Sequence, residues 1–131
     1  MFVGHYAAAF AAKAVRPVLP LWLLFVAVQL VDFVWAVLVM TGVEKIRIIP
    51  GYTPANPLDL YHIPYSHSLV AGIVWSIAFG VLYLLAKRGA GTKLSALVLG
   101  LAVFSHWITD LLVHKADLPI LYGAPKLGFG L

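Results

Sequence analysis

The sequence predicts an all-α fold: an integral membrane helical bundle of three transmembrane helices, with a short N-terminal helix that is re-entrant or interfacial. Three observations predict it. Hydrophobic residues make up 63% of the chain and charged residues 11%, whereas soluble domains carry about 45–50% and about 25%. Three stretches are apolar over about the 20 residues a bilayer requires. The basic residues flank those stretches, where positive charge sets topology, instead of forming a polar patch. With 131 residues the chain is expected to form one membrane domain.

The N-terminal helix is expected over residues 2–16. It is alanine-rich and bounded by Lys13, Arg16, Pro17 and Pro20. Phe2, Tyr6 and Phe10 form a bulky face, and His5, Ala9 and Ala12 form a small-residue face suited to close helix packing. The segment is too short to span and lacks a basic region before its apolar stretch, so it does not read as a cleaved signal peptide. The first span is expected over 21–41, with Asp32 as its only charge. A loop follows over 42–66, rich in proline, in which residues 46–49 read as a short extended piece. The second span is expected over 67–86 and the third over 93–114, joined by the basic turn Lys87-Arg88-Gly89-Ala90-Gly91. Residues 115–131 form a Gly/Pro-rich tail.

One end of this bundle carries Lys13, Arg16, Lys87, Arg88 and Lys93 without an acid. The other mixes Lys45, Arg47, Lys115 and Lys126 with Glu44, Asp59 and Asp117. The positive-inside rule places the first end, with the N-terminus, in the cytoplasm. Trp22 and Tyr83 then fall near the inner interface, and Tyr61, Tyr65 and Trp107 nearer the outer one. The absence of cysteine removes disulfides and thiolate metal sites. No phosphate loop, dinucleotide fingerprint or serine-nucleophile elbow is present, and no basic patch points to nucleic acid. The chain is too short for a transporter's inverted repeats.

An ionisable group at the bilayer centre costs roughly 2.5–3.5 kcal/mol on insertion scales, so each one marks a candidate functional site. Asp32 lies in the first span, and His106 and Asp110 lie in the third. Their H-x-x-x-D spacing puts His106 and Asp110 on one helix face, an arrangement that can grip zinc, which accepts imidazole and carboxylate ligands. His114 extends the stripe by a turn. His62 and His67 lie just before the second span, and His5 lies in the N-terminal helix. At 1.5 Å per residue, His5, Asp32 and His106 each stand about 16–20 Å from the basic end, with Asp110 about 25 Å and His67 about 30 Å up. If their basic anchors share the cytoplasmic interface, the first three meet near mid-membrane, and His67 joins only if the second span tilts or its basic end protrudes into the cytoplasm.

These residues resemble the motifs of a family of bacterial membrane-bound metal-dependent hydrolases. The matches are His5 in Gly4-His5-Tyr6, Asp32 in Val31-Asp32-Phe33, His62-Ile63-Pro64-Tyr65-Ser66-His67-Ser68, and Ser105-His106-Trp107-Ile108-Thr109-Asp110. They run from residue 4 to about residue 123. That family is thought to be distantly related to zinc-dependent phospholipase C-like phosphoesterases. The resemblance implies a bacterial inner-membrane enzyme acting on a phosphoester or lipid-type substrate. It implies zinc, or alternatively manganese, held by His5, Asp32, His67, His106 and Asp110. Asp32 and Asp110 are the expected catalytic carboxylates, and His62 and His114 are further ligands or partners of ligands. The chain departs from the family at the aspartate motif, which usually reads Pro-Asp-x-Asp-His and here reads Leu30-Val31-Asp32-Phe33-Val34. Relatives also often continue into a further span beyond the position of Leu131.

Two rival functions follow from the same residues. One is a non-catalytic subunit of a larger membrane complex or homo-oligomer, with the polar cluster as structural glue. The other is a b-type haem protein with His67 and His106 as axial ligands.

Overall fold

A computed structural model describes residues 3–52 and 57–130. Phe2 of the predicted bulky face, Pro54 of the loop and the terminal Leu131 lie outside the described residues. The fold is a membrane helical bundle: α1 (Tyr6–Val15), α2 (Leu21–Met40), α3 (Leu69–Ala86) and α4 (Thr92–Val113), with two small β-ladders at one end. The three longer helices are long and apolar enough to cross a membrane.

α4 is the axis of the bundle. It contacts each of the other three helices, while α2 and α3 meet over only a few residues. Its buried residues, Ser95, Ala96, Val98, Leu99, Ala102, Val103, His106, Trp107 and Asp110, recur at three- and four-residue spacing, the stripe a helix presents to its neighbours. α3 buries only Gly72 and Gly80. A lipid-facing helix can stay apolar all round, so its packing face is marked by small residues rather than by hydrophobicity. A Cβ at Gly80 would stand 3.2 Å from the Ala96 carbonyl oxygen, and one at Gly100 would stand 3.1 Å from that of Ser76. The two backbones approach that closely because both positions lack a side chain.

α1 is packed inside the bundle. Ala9 is fully buried in one core with Leu24, Ala27, Val28, Val31, Leu99 and Val103, as the small-residue face predicts. Tyr6 and Phe10 lie edge-on to Phe25, with ring centroids 4.8 and 5.6 Å away. The helix runs from mid-bundle to the basic end. There Arg16 donates to Ser95 Oγ at 3.1 Å and to the Gly91 carbonyl at 3.2 Å, and Lys13 donates to the carbonyls of Pro17 and Leu19. These bonds hold the Arg16 turn against the start of α4.

The second span begins later than the expected residue 67. Ser68 caps α3, accepting from Ala71 N at 3.0 Å, so His67 sits in the preceding turn. The proline-rich loop is more ordered than its composition suggests. Its extended piece is β1 (Lys45–Ile48), paired antiparallel with β2 (Leu58–His62), with Lys45 opposite His62 and a bulge before Arg47. The tail forms β3 (Leu118–Pro119) and β4 (Lys126–Leu127). It also returns to α4: Phe129 N donates to the Leu111 carbonyl at 2.9 Å and Gly130 N to that of His114 at 2.8 Å, supplying donors to carbonyls at a helix end that has no partners of its own. A side chain at Gly128 would overlap the Lys115 and His114 carbonyls, so this return requires glycine. Leu60, Ile63 and Leu118 form a second core, with Trp35, Ile46, Leu58 and Leu111 packed against it. Trp107, expected in the outer aromatic belt, is instead buried, stacked with Phe104 and lying over Gly72.

Candidate metal centre

Six of the polar side chains singled out in the sequence converge between the helices. His106 and Asp110 come from one face of α4, Asp32 from the middle of α2, and His5 from the residue that opens α1. His67 comes from the turn before α3, and His114 from the end of α4. Asp110 is the hub. Its Oδ1 lies 3.3 Å from His5 Nε2 and 3.5 Å from His114 Nε2. Its Oδ2 lies 3.2 Å from His106 Nε2 and 3.6 Å from His67 Nε2. Asp32 Oδ1 stands 3.5 Å from both His67 Nε2 and His106 Nε2. The His5 and His106 rings stack with centroids 3.8 Å apart.

The opposite nitrogen of each ring is anchored. His106 Nδ1 is 2.7 Å from the Val28 carbonyl oxygen, which can only accept, so Nδ1 carries the hydrogen. His5 Nδ1 is 2.6 Å from Thr109 Oγ1. The Thr109 hydroxyl directs its single proton to the helix carbonyls of Ser105 and His106, so it accepts from His5 Nδ1–H. His67 Nδ1 is 2.7 Å from Ser66 Oγ, whose proton goes to Glu44 Oε2 at 2.5 Å; His67 therefore donates as well. His114 Nδ1 is 3.1 Å from Asp117 Oδ1, another acceptor. In the neutral imidazole one nitrogen donates and the other accepts. As neutral imidazoles, all four would present Nε2 lone pairs toward two carboxylates.

Lone pairs facing carboxylates repel unless a cation lies between them. His106 Nε2 is fully buried and makes no hydrogen bond of acceptable geometry. The N···O separations of 3.2–3.6 Å lie at or beyond the outer limit of a hydrogen bond, about 2.7–3.2 Å. They match the ~3.3–3.4 Å edges of a tetrahedron whose corners stand about 2.0–2.1 Å from a central zinc. Among the described residues, two trios have ligand atoms close enough together to hold one metal ion: His5, Asp32 and His106, and His67, His106 and Asp110. Anchoring the outer nitrogen while the inner one faces the centre is the arrangement that orients metal-binding histidines.

Access is uneven. His5, His67, His106 and Asp110 are buried, whereas the Asp32 side chain retains 19% exposure and that of His114 16%. Asp32 and His114 therefore mark the ways in. His62 is not part of the convergence: it lies on β2 with its ring edge-on to Tyr122, centroids 5.5 Å apart. Nor do the His67 and His106 rings frame a haem. Their centroids are 5.4 Å apart, and Asp32 and Asp110 fill the space between them that a porphyrin plane needs.

Of the anchoring partners, Glu44 and Asp117 enter the sequence reading only as charges at one end, Ser66 and Thr109 only as positions within the histidine motifs, and the Val28 carbonyl not at all. Thr109 and Asp117 fall three residues from a histidine on or beside α4, which was a usable signal. Glu44 carried none, since a loop acid ordinarily faces solvent. It is 1% exposed and accepts from the backbone N–H groups of Tyr65 and Ser66, each at 2.8 Å. No protein-family model matches this chain, and neither a curated protein nor a solved structure is similar to it, so the family resemblance rests on its motifs alone.

Proposed function

We propose that this protein is a membrane-embedded, zinc-dependent hydrolase of a phosphoester, with a lipid-type molecule as substrate. The observation that carries the reading is the buried His106 Nε2, an imidazole lone pair held by the Val28 carbonyl to face two carboxylates. Only a proton or a metal cation can occupy that gap. Three further lone pairs aimed at the same carboxylates favour the metal. Imidazole and carboxylate ligands without a thiolate suit zinc, and manganese is the second choice.

His5, Asp32, His67, His106 and Asp110 would hold the divalent cation, which would supply Lewis acidity toward a water and a phosphoryl oxygen. The chain's own groups do the rest. His5, His67, His106 and Asp110 form the enclosed wall and exclude bulk water. Asp32, the more exposed carboxylate, is placed to take the proton of the attacking water. As that oxygen adds to phosphorus, the ester P–O bond breaks and the proton passes on to the leaving alcohol oxygen. Asp110 holds the four imidazoles in register. The basic end, read as cytoplasmic, lies opposite the β-ladders, so substrate reaches the site from the outer half of an inner membrane.

The test is metal content by mass spectrometry on protein purified in detergent, beside His106→Ala and Asp110→Ala. The expected result is at least one zinc per chain, absent from both variants, together with phosphoesterase activity that chelation removes. A metal-free wild type after mild purification overturns the metal. Metal without hydrolysis of any phosphoester leaves a structural ion in a non-catalytic subunit.

A further inference from the structure

The buried carboxylate of Glu44 lies outside the centre and has no role in the chemistry above. It sits just past α2, where its own N–H and that of Val43 donate to the Leu38 carbonyl at 3.0 and 2.9 Å. Its side chain crosses to the approach of α3. Oε1 accepts the N–H groups of Tyr65 and Ser66, and Oε2 accepts the Ser66 hydroxyl. That hydroxyl has one proton. With it directed to Glu44, the Ser66 oxygen is left as an acceptor, and His67 Nδ1, 2.7 Å away, must be the donor.

We infer that Glu44, acting through Ser66, is a positioning residue that holds His67 in the Nδ1–H form and aims its Nε2 at Asp32 and Asp110. His67 requires such a device more than the other histidines do. His106 lies within α4, and His5 and His114 lie at the ends of helices, so their backbones are set by helix geometry. His67 lies in a turn, on an approach whose helix touches α2 over only a few residues. Glu44 ties the exit of α2 to this approach, and so brings a ligand from the α3 side to face Asp32 on α2. A carboxylate hydrogen-bonded behind a metal-binding histidine fixes the ring and raises its basicity; here a serine hydroxyl relays the effect. The inference rests on the proposed metal reading only for its consequence in affinity. The tautomer itself is a property of the metal-free protein.

The experiment uses the full chain in detergent, as wild type, Ser66→Ala, Glu44→Gln and the double variant. Ser66→Ala is the main probe, because it removes only the hydroxyl link and leaves both backbone bonds to Glu44 intact. Two quantities are measured: imidazole 15N shifts of His67 in metal-free protein, and zinc affinity by chelator competition. The expected result is a single Nδ1–H tautomer in the wild type that becomes mixed in Ser66→Ala. Zinc affinity falls about 10–100-fold in each single variant, the usual effect of losing such a partner. The double variant falls no further than the weaker single, because both changes cut one relay. An unchanged tautomer in Ser66→Ala overturns the inference even if zinc binds. Losses that multiply in the double variant also overturn it, since they make Glu44 a structural clamp only. A wild type that binds no zinc while the tautomer responds as expected defeats the metal reading and leaves the positioning role standing.

Discussion

At the scale of the residue, the centre depends on which nitrogen of each ring carries its hydrogen. Four anchors of different chemistry, a helix carbonyl, a threonine hydroxyl, a serine–glutamate relay and an aspartate, impose the same tautomer. In the neutral ring, each turns an Nε2 lone pair inward. Burial makes the choice strict, because a polar group left unpaired in a low-dielectric interior costs free energy of about 1–3 kcal/mol. His62 supplies the contrast. It shares the motif that carries His67, yet its ring meets Tyr122 instead of the cluster. Substituting His62→Ala is therefore expected to leave the metal content of purified protein at the wild-type level, whereas His106→Ala removes the metal. Loss of metal in His62→Ala shows that His62 is a ligand. The sequence already favoured His67 over His62, because His67 stands at the start of the expected second span. The turn between them, closed by His67 N donating to the Ile63 carbonyl at 3.2 Å, separates their destinations.

At the scale of the element, α1 is too short to span, yet it delivers His5 to the site. It does so through close packing: Ala9 is fully buried against α2 and α4, and His5 lies one turn earlier on the same face. Replacing Ala9 with leucine inserts methylenes into a filled core, which typically costs about 1–3 kcal/mol. The expected outcome for Ala9→Leu is a lowered unfolding temperature in detergent and weakened zinc binding, because α1 must move away and carry His5 with it. Ala11→Leu, on the exposed face, is the control and changes neither. If Ala9→Leu binds zinc as tightly as wild type, His5 is not held by this packing. The face itself was legible from the His5, Ala9 and Ala12 spacing. Its partner helices were not, because a small-residue face fits any neighbour of similar shape.

At the scale of the whole molecule, the two ends of the bundle differ in kind. One is a tight basic turn braced by Arg16. The other is capped by two ladders and a tail that folds back onto α4. Trp35 links the polar centre to the capped end: it packs against the core of Leu60, Ile63 and Leu118 and stands edge-on to His67, ring centroids 6.2 Å apart. The charge asymmetry predicts that the basic end faces the cytoplasm. The chain has no cysteine, so single reporters give clean labelling. In intact cells, Ala90→Cys is expected to resist a membrane-impermeant maleimide until the membrane is opened, and Gly123→Cys is expected to react at once. The reverse pattern inverts the topology and places the site in the cytoplasmic half.

The sequence by itself determined the three spans, the short fourth helix, the polar ends and the residues too costly to sit in a membrane without a purpose. Those are local properties: apolar length, charge at segment ends and spacing along one helix. It placed His106 and Asp110 together because helical periodicity fixes neighbours a turn apart. Depth along the helices put His5 and Asp32 at the level of His106, and spacing put His114 on its stripe; only the tertiary structure decided that these side chains and His67 converge on one another, that His62 does not join them, and that Glu44 lies buried behind His67. Periodicity says which residues share a face but not how far each helix is rotated about its axis or where a loop returns. Those are settled by the packing of small residues along α4 and by hydrogen bonds between segments far apart in the chain.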